Sequence, residues 1–357
     1  MAGVFKIDGS LGEGGGQILR TAVGVAAVMG NAIHVEKIRA GRKKPGLMRQ
    51  HLTAVNAAAQ ICGARVEGNS AGSMELSFSP GEVKSGDYHF SIGTAGSATL
   101  VLQTVLPMLL TAKGPSRLIL EGGTHNLAAP PFEFLASAFL PLVNRMGPTV
   151  QVALERYGFF PAGGGRIVVN IQPVEQLSGF DLCERGPLLN AKARVLISNL
   201  PMNIAEREAR RLKARLPELK DQVRIEPVPS AGPGNIVIVE CQFQNVTEVA
   251  TAFGRLGTSA ETVANEASGS IRDYLKSDCP VGENLSDQIL LPLALSAAGT
   301  GNASSQRGGS FRTRHVSGHL KTHIAVLQQL LPVRIHEEQE SDGLKITVRP
   351  AACDAAL

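Results

Sequence analysis

His315, His319 and His323 stand four positions apart in "HVSGHLKTH". Imidazoles at this interval share a helix face, a spacing used by zinc sites and compatible with one reactive histidine among bystanders. A helix through the run would start near Ser317, an N-cap residue type, and bury Leu320, Ile324, Leu327 and Leu331. His315 then falls outside it, and only His319 and His323 share a face. No Asp or Glu follows before Glu337 and no cysteine is near in sequence, so metal is the weaker reading, and a buried, non-catalytic histidine is the plain alternative to a nucleophile.

Two further stretches could handle phosphate. "EKIRAGRKKPGLMRQH" carries Lys37, Arg39, Arg42, Lys43, Lys44 and Arg49 against one acid, an electrostatic footprint for phosphates or, more plainly, a solvated loop before a helix. "GEGGGQ" lets backbone amides approach a ligand ahead of a helix N-terminus, or is simply a tight turn. A GxxxxGK[ST] loop, a GxGxxG register and an HExxH pair are all missing from the sequence. "GNSAG" (68–72) matches the GxSxG elbow by letter but lies between two strand-like runs, where the elbow needs a strand entering a helix.

The elements that must position these groups belong to a globular chain. With 357 residues, 43% hydrophobic and 18% charged, two domains are the expectation. No Trp and three Tyr leave cores of Leu, Val, Ile and Ala and argue against an aromatic single-strand platform. The start has no basic-then-apolar leader, and the longest apolar run, "ATLVLQTVLPMLLTA", is too short to span a bilayer. Five cysteines without CxxC spacing suit reduced thiols in the cytoplasm. The net charge of +4 by itself points to no polyanion partner.

Periodicity gives a helix, strand, helix, strand, strand order from "GGQILRTAVGVAAVMG" to "MELSFSPG". It recurs from "GSATLVLQTVLPMLLTAKG" to "GGRIVVNIQP", and more loosely from "NLSDQILLPLALSAAG" to "LKITVRP". The stretch from Cys183 to Cys279 breaks the pattern and reads as a smaller mixed α/β insert. The expected division is residues 1–182 with two repeats, 183–279 as the insert, and 280–357 with the third repeat and the tail.

The segments "DGSLGEGGGQILR", "IRAGRKKPGLMRQHLTAV", "GTAGSATLVLQTVLP", "GGTHNLAAPPFEF", "YGFFPAGGG", "VGENLSDQILLPLAL" and "SFRTRHVSGHLKTHIAV" resemble, in order, those of the RNA 3'-terminal phosphate cyclases. The insert matches in position and pattern more than in residues. The resemblance implies an α/β (α+β) fold: a large domain of three βαβαββ-type units as in enolpyruvyl transferases, with the small insert. It also implies a ligase-type reaction in which a histidine takes AMP from ATP, AMP passes to an RNA 3'-phosphate, and the 2'-hydroxyl displaces it to leave a 2',3'-cyclic phosphate.

By the same resemblance His319 is the nucleophile, and Arg20, Arg39, Arg42 and Gln50 stabilise phosphate charge. Gln103, Pro130, Phe134, Asn284, Leu285, Ser286, Asp287 and Gln288 line the nucleotide pocket. Glu13 holds a divalent metal, Mg or Mn. The implied partners are RNA with a 3'-phosphate end and ATP, with no membrane and with a homodimer admitted. The chain departs from the family pattern where Asn284 replaces an expected aromatic residue, where "GNASSQRGG" adds residues before the catalytic helix, and where His323 replaces an expected Asn. The alternatives are a catalytically inactive cyclase-like RNA-processing scaffold, whose mark would be loss of His319, and an enolpyruvyl transferase, which needs no covalent histidine.

Overall fold

Short apolar strands alternating with one-sided or wholly apolar helices favour mixed sheets covered by helices. The computed structural model, which describes residues 3–12, 14–299 and 307–351, is a mixed α/β chain with four such sheets. The position of Glu13 and most of "GNASSQRGG" lie outside the described residues.

The first sheet is built from β1 (Phe5–Asp8), α1 (Gly16–Met29), β2 (Ile33–Glu36), α2 (Arg49–Cys62), β3 (Arg65–Glu67) and β4 (Leu76–Ser79). Its strand order is β1-β2-β4-β3, with only the first pair parallel. The second uses β5 (Asp87–Ser91), α3 (Ala98–Leu109) and β6 (Ser116–Gly122), then a helical segment made of α4 (Phe132–Phe134), a π turn (Leu135–Phe139) and α5 (Leu140–Asn144). It closes with β7 (Thr149–Arg156) and β8 (Gly165–Gln172), in the order β5-β6-β8-β7 with the same directions.

A third sheet opens with β9 (Phe180–Leu182), but the chain leaves it to form a fourth. That fourth sheet comprises β10 (Leu188–Ser198), α6 (Met202–Arg215), β11 (Val223–Pro227), β12 (Gly234–Phe243), β13 (Thr247–Phe253) and α7 (Ala260–Leu275), in the order β11-β10-β12-β13. The chain then returns through α8 (Glu283–Ala298), β14 (Gly309–Thr313), α9 (Gly318–Leu330), β15 (Val333–Glu340) and β16 (Gly343–Pro350). β14 pairs in parallel with β9, and the order β9-β14-β16-β15 repeats that of the first two sheets.

"GNSAG" joins β3 to the antiparallel β4, so it is a hairpin connection. α1 packs against α2, α3 and α9 and buries residues on all sides, from Ile18 through Ala27. Gly24 permits this: a Cβ there would stand 3.0 Å from the Thr104 carbonyl oxygen on α3, a contact only a side chain of hydrogen tolerates comfortably. Cys62, Cys183, Cys241 and Cys279 carry free thiols. Among the described residues no helix is long and apolar enough to cross a membrane.

Candidate functional site

The N-termini of α1, α2, α8 and α9 open on one cavity of about 660 Å³. The first amides of a helix lack intrahelical partners and carry the positive end of its dipole, so four converging N-termini make a field that suits anions. α1 and α8 have glycine, Gly15 and Gly282, at the N-cap, which leaves no side chain to cover those amides. Ser317 caps α9 as its residue type predicts, its hydroxyl oxygen accepting from the Leu320 N–H at 3.1 Å. Leu320, Ile324, Leu327 and Leu331 are buried.

Arg20, Arg39, Arg42, Gln50 and His319 all border this cavity. Burial lowers the pKa of Arg20 to about 10 against the opposing charge of Asp287, so it remains a cation at neutral pH. Burial, then the neighbouring Arg42, lowers that of Arg39. Arg39 also has a structural task. In the left-handed conformation at φ 51–54° shared with Lys37, it donates from Nη1 to the carbonyls of Lys44 and Gly46, each at 2.7 Å, and so closes the basic loop on itself. Gln50 accepts from the Ser97 N–H at 3.3 Å.

His319 Nδ1 stands 3.0 Å from Gln17 Oε1. Gln17 Nε2 donates to Asp287 Oδ1 at 2.5 Å, and the same oxygen lies 3.0 Å from His323 Nδ1. His323 Nε2 is 3.2 Å from the Thr21 hydroxyl. Burial pushes the Asp287 carboxyl up, but the charge of His323, the hydrogen bonds from His323 and Gln17 and the charge of His319 outweigh it and hold it below the usual value. The carboxylates beside the histidines therefore come from α8, not from the sequence around them: Asp287 meets His323, and Glu283 meets the exposed His315 at 3.1 Å. Among the described residues no group of three or more His, Cys, Asp or Glu could hold a metal.

His51, unremarked in the sequence beyond its place at the end of the basic run, is a wall residue. Burial, then the charges of Arg20 and Arg39, push its pKa down to about 3, and its Nδ1 accepts from the Met48 N–H at 3.1 Å, so the neutral ring carries its proton on Nε2. Gly16 leaves room for it, since a Cβ there would overlap both His51 and the Arg20 guanidinium. Gln17 was equally silent in the sequence, where it reads as the polar end of a glycine run.

Apolar side chains also line the cavity: Leu106 from α3 and Leu110 at its C-cap, Pro130 and Phe134 from the second unit, Phe253 from β13, and Leu291 from α8. Gln103 and Gln288 bridge α3 and α8 by a side-chain hydrogen bond within it. Asn284, Asp287 and Gln288 line the cavity at helical spacing. Leu285 and Ser286, expected with them, do not: at 3.6 residues per turn they fall on the opposite face. There Leu285 is fully buried and the Ser286 hydroxyl donates to the Glu283 carbonyl.

Behind Phe134 lies a buried polar network. His125 Nε2 is 2.8 Å from Glu133 Oε2, and Arg194 Nη2 on β10 is 3.3 Å from Glu133 Oε1. His125 also stacks on Tyr157, with ring centroids 5.4 Å apart.

A cavity of this size, lined by cations and helix amides as well as by apolar side chains, suits an anionic ligand that also carries an apolar part. The family model for RNA 3'-terminal phosphate cyclase matches residues 11–336. A protein of Koribacter versatilis named RNA 3'-terminal phosphate cyclase is 48% identical over 352 residues, 98% of this chain and 96% of its own length. One of the same name from Ralstonia nicotianae is 47% identical over 346 residues, covering 97% and 96%, and one from Salmonella enteritidis is 45% identical over 349 residues, covering 98% and 99%. On matches of this extent, the chain belongs to the RNA 3'-terminal phosphate cyclase family.

Proposed function

We propose that the protein converts an RNA 3'-terminal phosphate to a 2',3'-cyclic phosphate at the expense of ATP, with His319 carrying AMP between the two. The observation that carries this reading is the place of His319: at the start of α9, bordering the cavity, held through Nδ1 by a side chain that is itself held by Asp287. A neutral imidazole, titrating near ~6.5 when unperturbed, is a nitrogen nucleophile at cellular pH, and the phosphoramidate it forms is reactive enough to pass the nucleotide on.

His319 attacks the α-phosphorus, a nitrogen–phosphorus bond forms, and pyrophosphate leaves with the electron pair of the broken bond. An oxygen of the RNA 3'-phosphate then attacks the same phosphorus and His319 departs. The neighbouring 2'-hydroxyl attacks the 3'-phosphorus, and AMP leaves. Negative charge grows on phosphate oxygens each time, so preplaced Arg20, Arg39, Arg42 and helix amides stabilise every transition state without reorganising. Asp287 is engaged by Gln17 and His323, and Glu283 by His315, so the described carboxylates form no dedicated cage. A divalent metal would enter with the triphosphate, which needs only one or two protein carboxylates. Glu13 is the residue that the family resemblance offers for it.

The division at 182 and 279 is part of the same reading. It is supported by β10 to β13, which as sheet strands pair with one another, and by Val249, Thr251 and Phe253 of that unit, which border the cavity.

Incubation of the purified protein with α-labelled ATP should give an acid-labile, labelled protein. His319→Ala should abolish the label while His315→Ala and His323→Ala keep it at least in part. Label retained in His319→Ala would refute the assignment, and no label in the wild type would favour a scaffold.

A further inference from the structure

Gln17, Asp287, His323 and Thr21 form a chain of side-chain hydrogen bonds that ends on His319 and joins three helices, α1, α8 and α9. We infer that Gln17 and Asp287 are positioning residues that fix which ring nitrogen of His319 bears the proton, with His323 anchoring Asp287 from the far side. The inference rests on His319 being the nucleophile, as proposed above.

An ionised carboxylate only accepts, so the group 2.5 Å from Asp287 Oδ1 must be the Gln17 amide N–H. That orients the Gln17 carbonyl oxygen toward His319 Nδ1 at 3.0 Å. An oxygen there accepts only from an N–H, so the His319 proton sits on Nδ1 and the ring lone pair on Nε2. Asp287 fixes His323 by the same logic. Its Oδ1 and its main-chain oxygen both lie 3.0 Å from His323 Nδ1, so that nitrogen carries the proton, and Nε2 accepts from the Thr21 hydroxyl at 3.2 Å.

Without such a constraint a neutral histidine favours the opposite tautomer, with Nε2 protonated and not nucleophilic. With it, Nε2 attacks phosphorus while the Nδ1–H bond to Gln17 is the same before and after, so no proton moves in the step. Asp287, which resemblance alone would set against the nucleotide, then acts through Gln17. His323 supplies an N–H donor where the family pattern expects the amide of Asn, and either group can give Asp287 a hydrogen bond.

The test combines imidazole nitrogen NMR on the full-length 15N-labelled protein with single-turnover labelling by α-labelled ATP. In the wild type His319 should show its proton on Nδ1. His51, which accepts from the Met48 N–H, should show the reverse pattern and serve as an internal control. Gln17→Leu should move the His319 proton to Nε2 and slow adduct formation about 10- to 100-fold at an unchanged half-saturating ATP concentration. His323→Ala should slow it, and His323→Asn should restore most of the rate. A wild-type His319 protonated on Nε2 overturns the inference. So does a Gln17→Leu variant with unchanged rate, or one whose loss lies wholly in ATP affinity. If Gln17→Leu fails to fold, the wild-type tautomer alone decides. A missing adduct in the wild type, or one surviving in His319→Ala, would instead count against the nucleophile assignment, since the tautomer is read without ATP.

Discussion

Arg194 on β10 and Glu133 on α4 stand 3.3 Å apart, and through this pair the fourth sheet is tied to the helical segment that carries Phe134. Arg194 also reaches Glu226 and Glu240 at 3.3 and 3.4 Å. Burial pushes Glu133 up, but the hydrogen bond and charge of His125 and the charge of Arg194 prevail and lower its pKa. Its contribution is thus present above the ordinary carboxylate range and lost as pH falls through the depressed folded value. Glu133→Ala leaves buried His125 without its acceptor and removes one of the three carboxylates around Arg194, and should cost about 1 to 3 kcal/mol in denaturant unfolding. In any folded fraction, half-saturation by ATP should rise while the saturated adenylylation rate holds. A midpoint equal to the wild type would show the pair to be energetically idle.

Glu208 on α6 reverses that sign. It lies against Asn235, whose amide donates at 2.8 Å, and burial raises its pKa to about 7 despite that hydrogen bond. The folded state binds the proton more tightly, so stability falls as pH rises from the unfolded carboxylate value to about 7 and levels off above it. Glu208→Gln should be more stable than the wild type at pH ~8, on the order of 2 kcal/mol, with little difference at pH ~4.5. Glu248, raised by burial to about 8, keeps a slope of the same sign in the variant. Equal stabilities at both pH values would mean that Glu208 titrates normally.

Much of this architecture could be read from residue order, and the exceptions have physical causes. The paired strands ending the second and third units, β7 with β8 and β15 with β16, are eight residues long each, enough for alternation to register. The opening strands β1, β5 and β9, of four, five and three residues, fall outside the order read from periodicity, which starts each unit at its first helix. Ser317 was visible as a cap because capping is local. The partners of His319 and His323 were not, because Gln17 lies 302 positions from the first and Asp287 36 from the second. Spacing in sequence thus argued against a carboxylate beside the histidines when the fold delivers one. Leu285 and Ser286 came with a contiguous motif, whereas a helix presents only positions three or four apart to a cavity.

Arg39 and Arg42 should differ under substitution. Arg39→Ala removes two charge-assisted hydrogen bonds to the loop carbonyls of Lys44 and Gly46, about 1.5 to 3 kcal/mol each, so RNA end binding and loop protection from hydrogen exchange should both fall. Lys cannot supply the fork and should rescue poorly. Arg42→Ala should weaken RNA binding with less effect on loop exchange. Full activity of both alanine variants at limiting RNA would reduce the cluster to a solvated loop.

Asn284 borders the cavity together with Pro130 and Phe134, where the proposed reaction would seat the base of ATP. An aromatic ring in its place adds a stacking face worth roughly 1 to 3 kcal/mol. Asn284→Tyr should therefore lower the ATP concentration for half-maximal adenylylation and leave the saturated rate nearly unchanged, since the phosphate end is untouched. Unchanged or weaker ATP binding would show that the base is gripped elsewhere or that Asn284 bonds it directly.

The parallel pairing of β9 with β14, Phe180 opposite Gly309, has a consequence for biosynthesis. β9 leaves the ribosome as an unpaired strand, and the entire fourth sheet must be synthesised before its neighbour exists. Contacts of such sequence separation close slowly and leave a sticky edge exposed meanwhile. Because α9 comes later still, a nascent chain lacks His319 until almost all of it has emerged, and a product arrested within the fourth sheet leaves the β9 edge open to other chains. Translation speed through residues 183–313 should therefore bear on yield more than on activity: slow passage gives the fourth sheet time to form but prolongs the life of the orphaned strand.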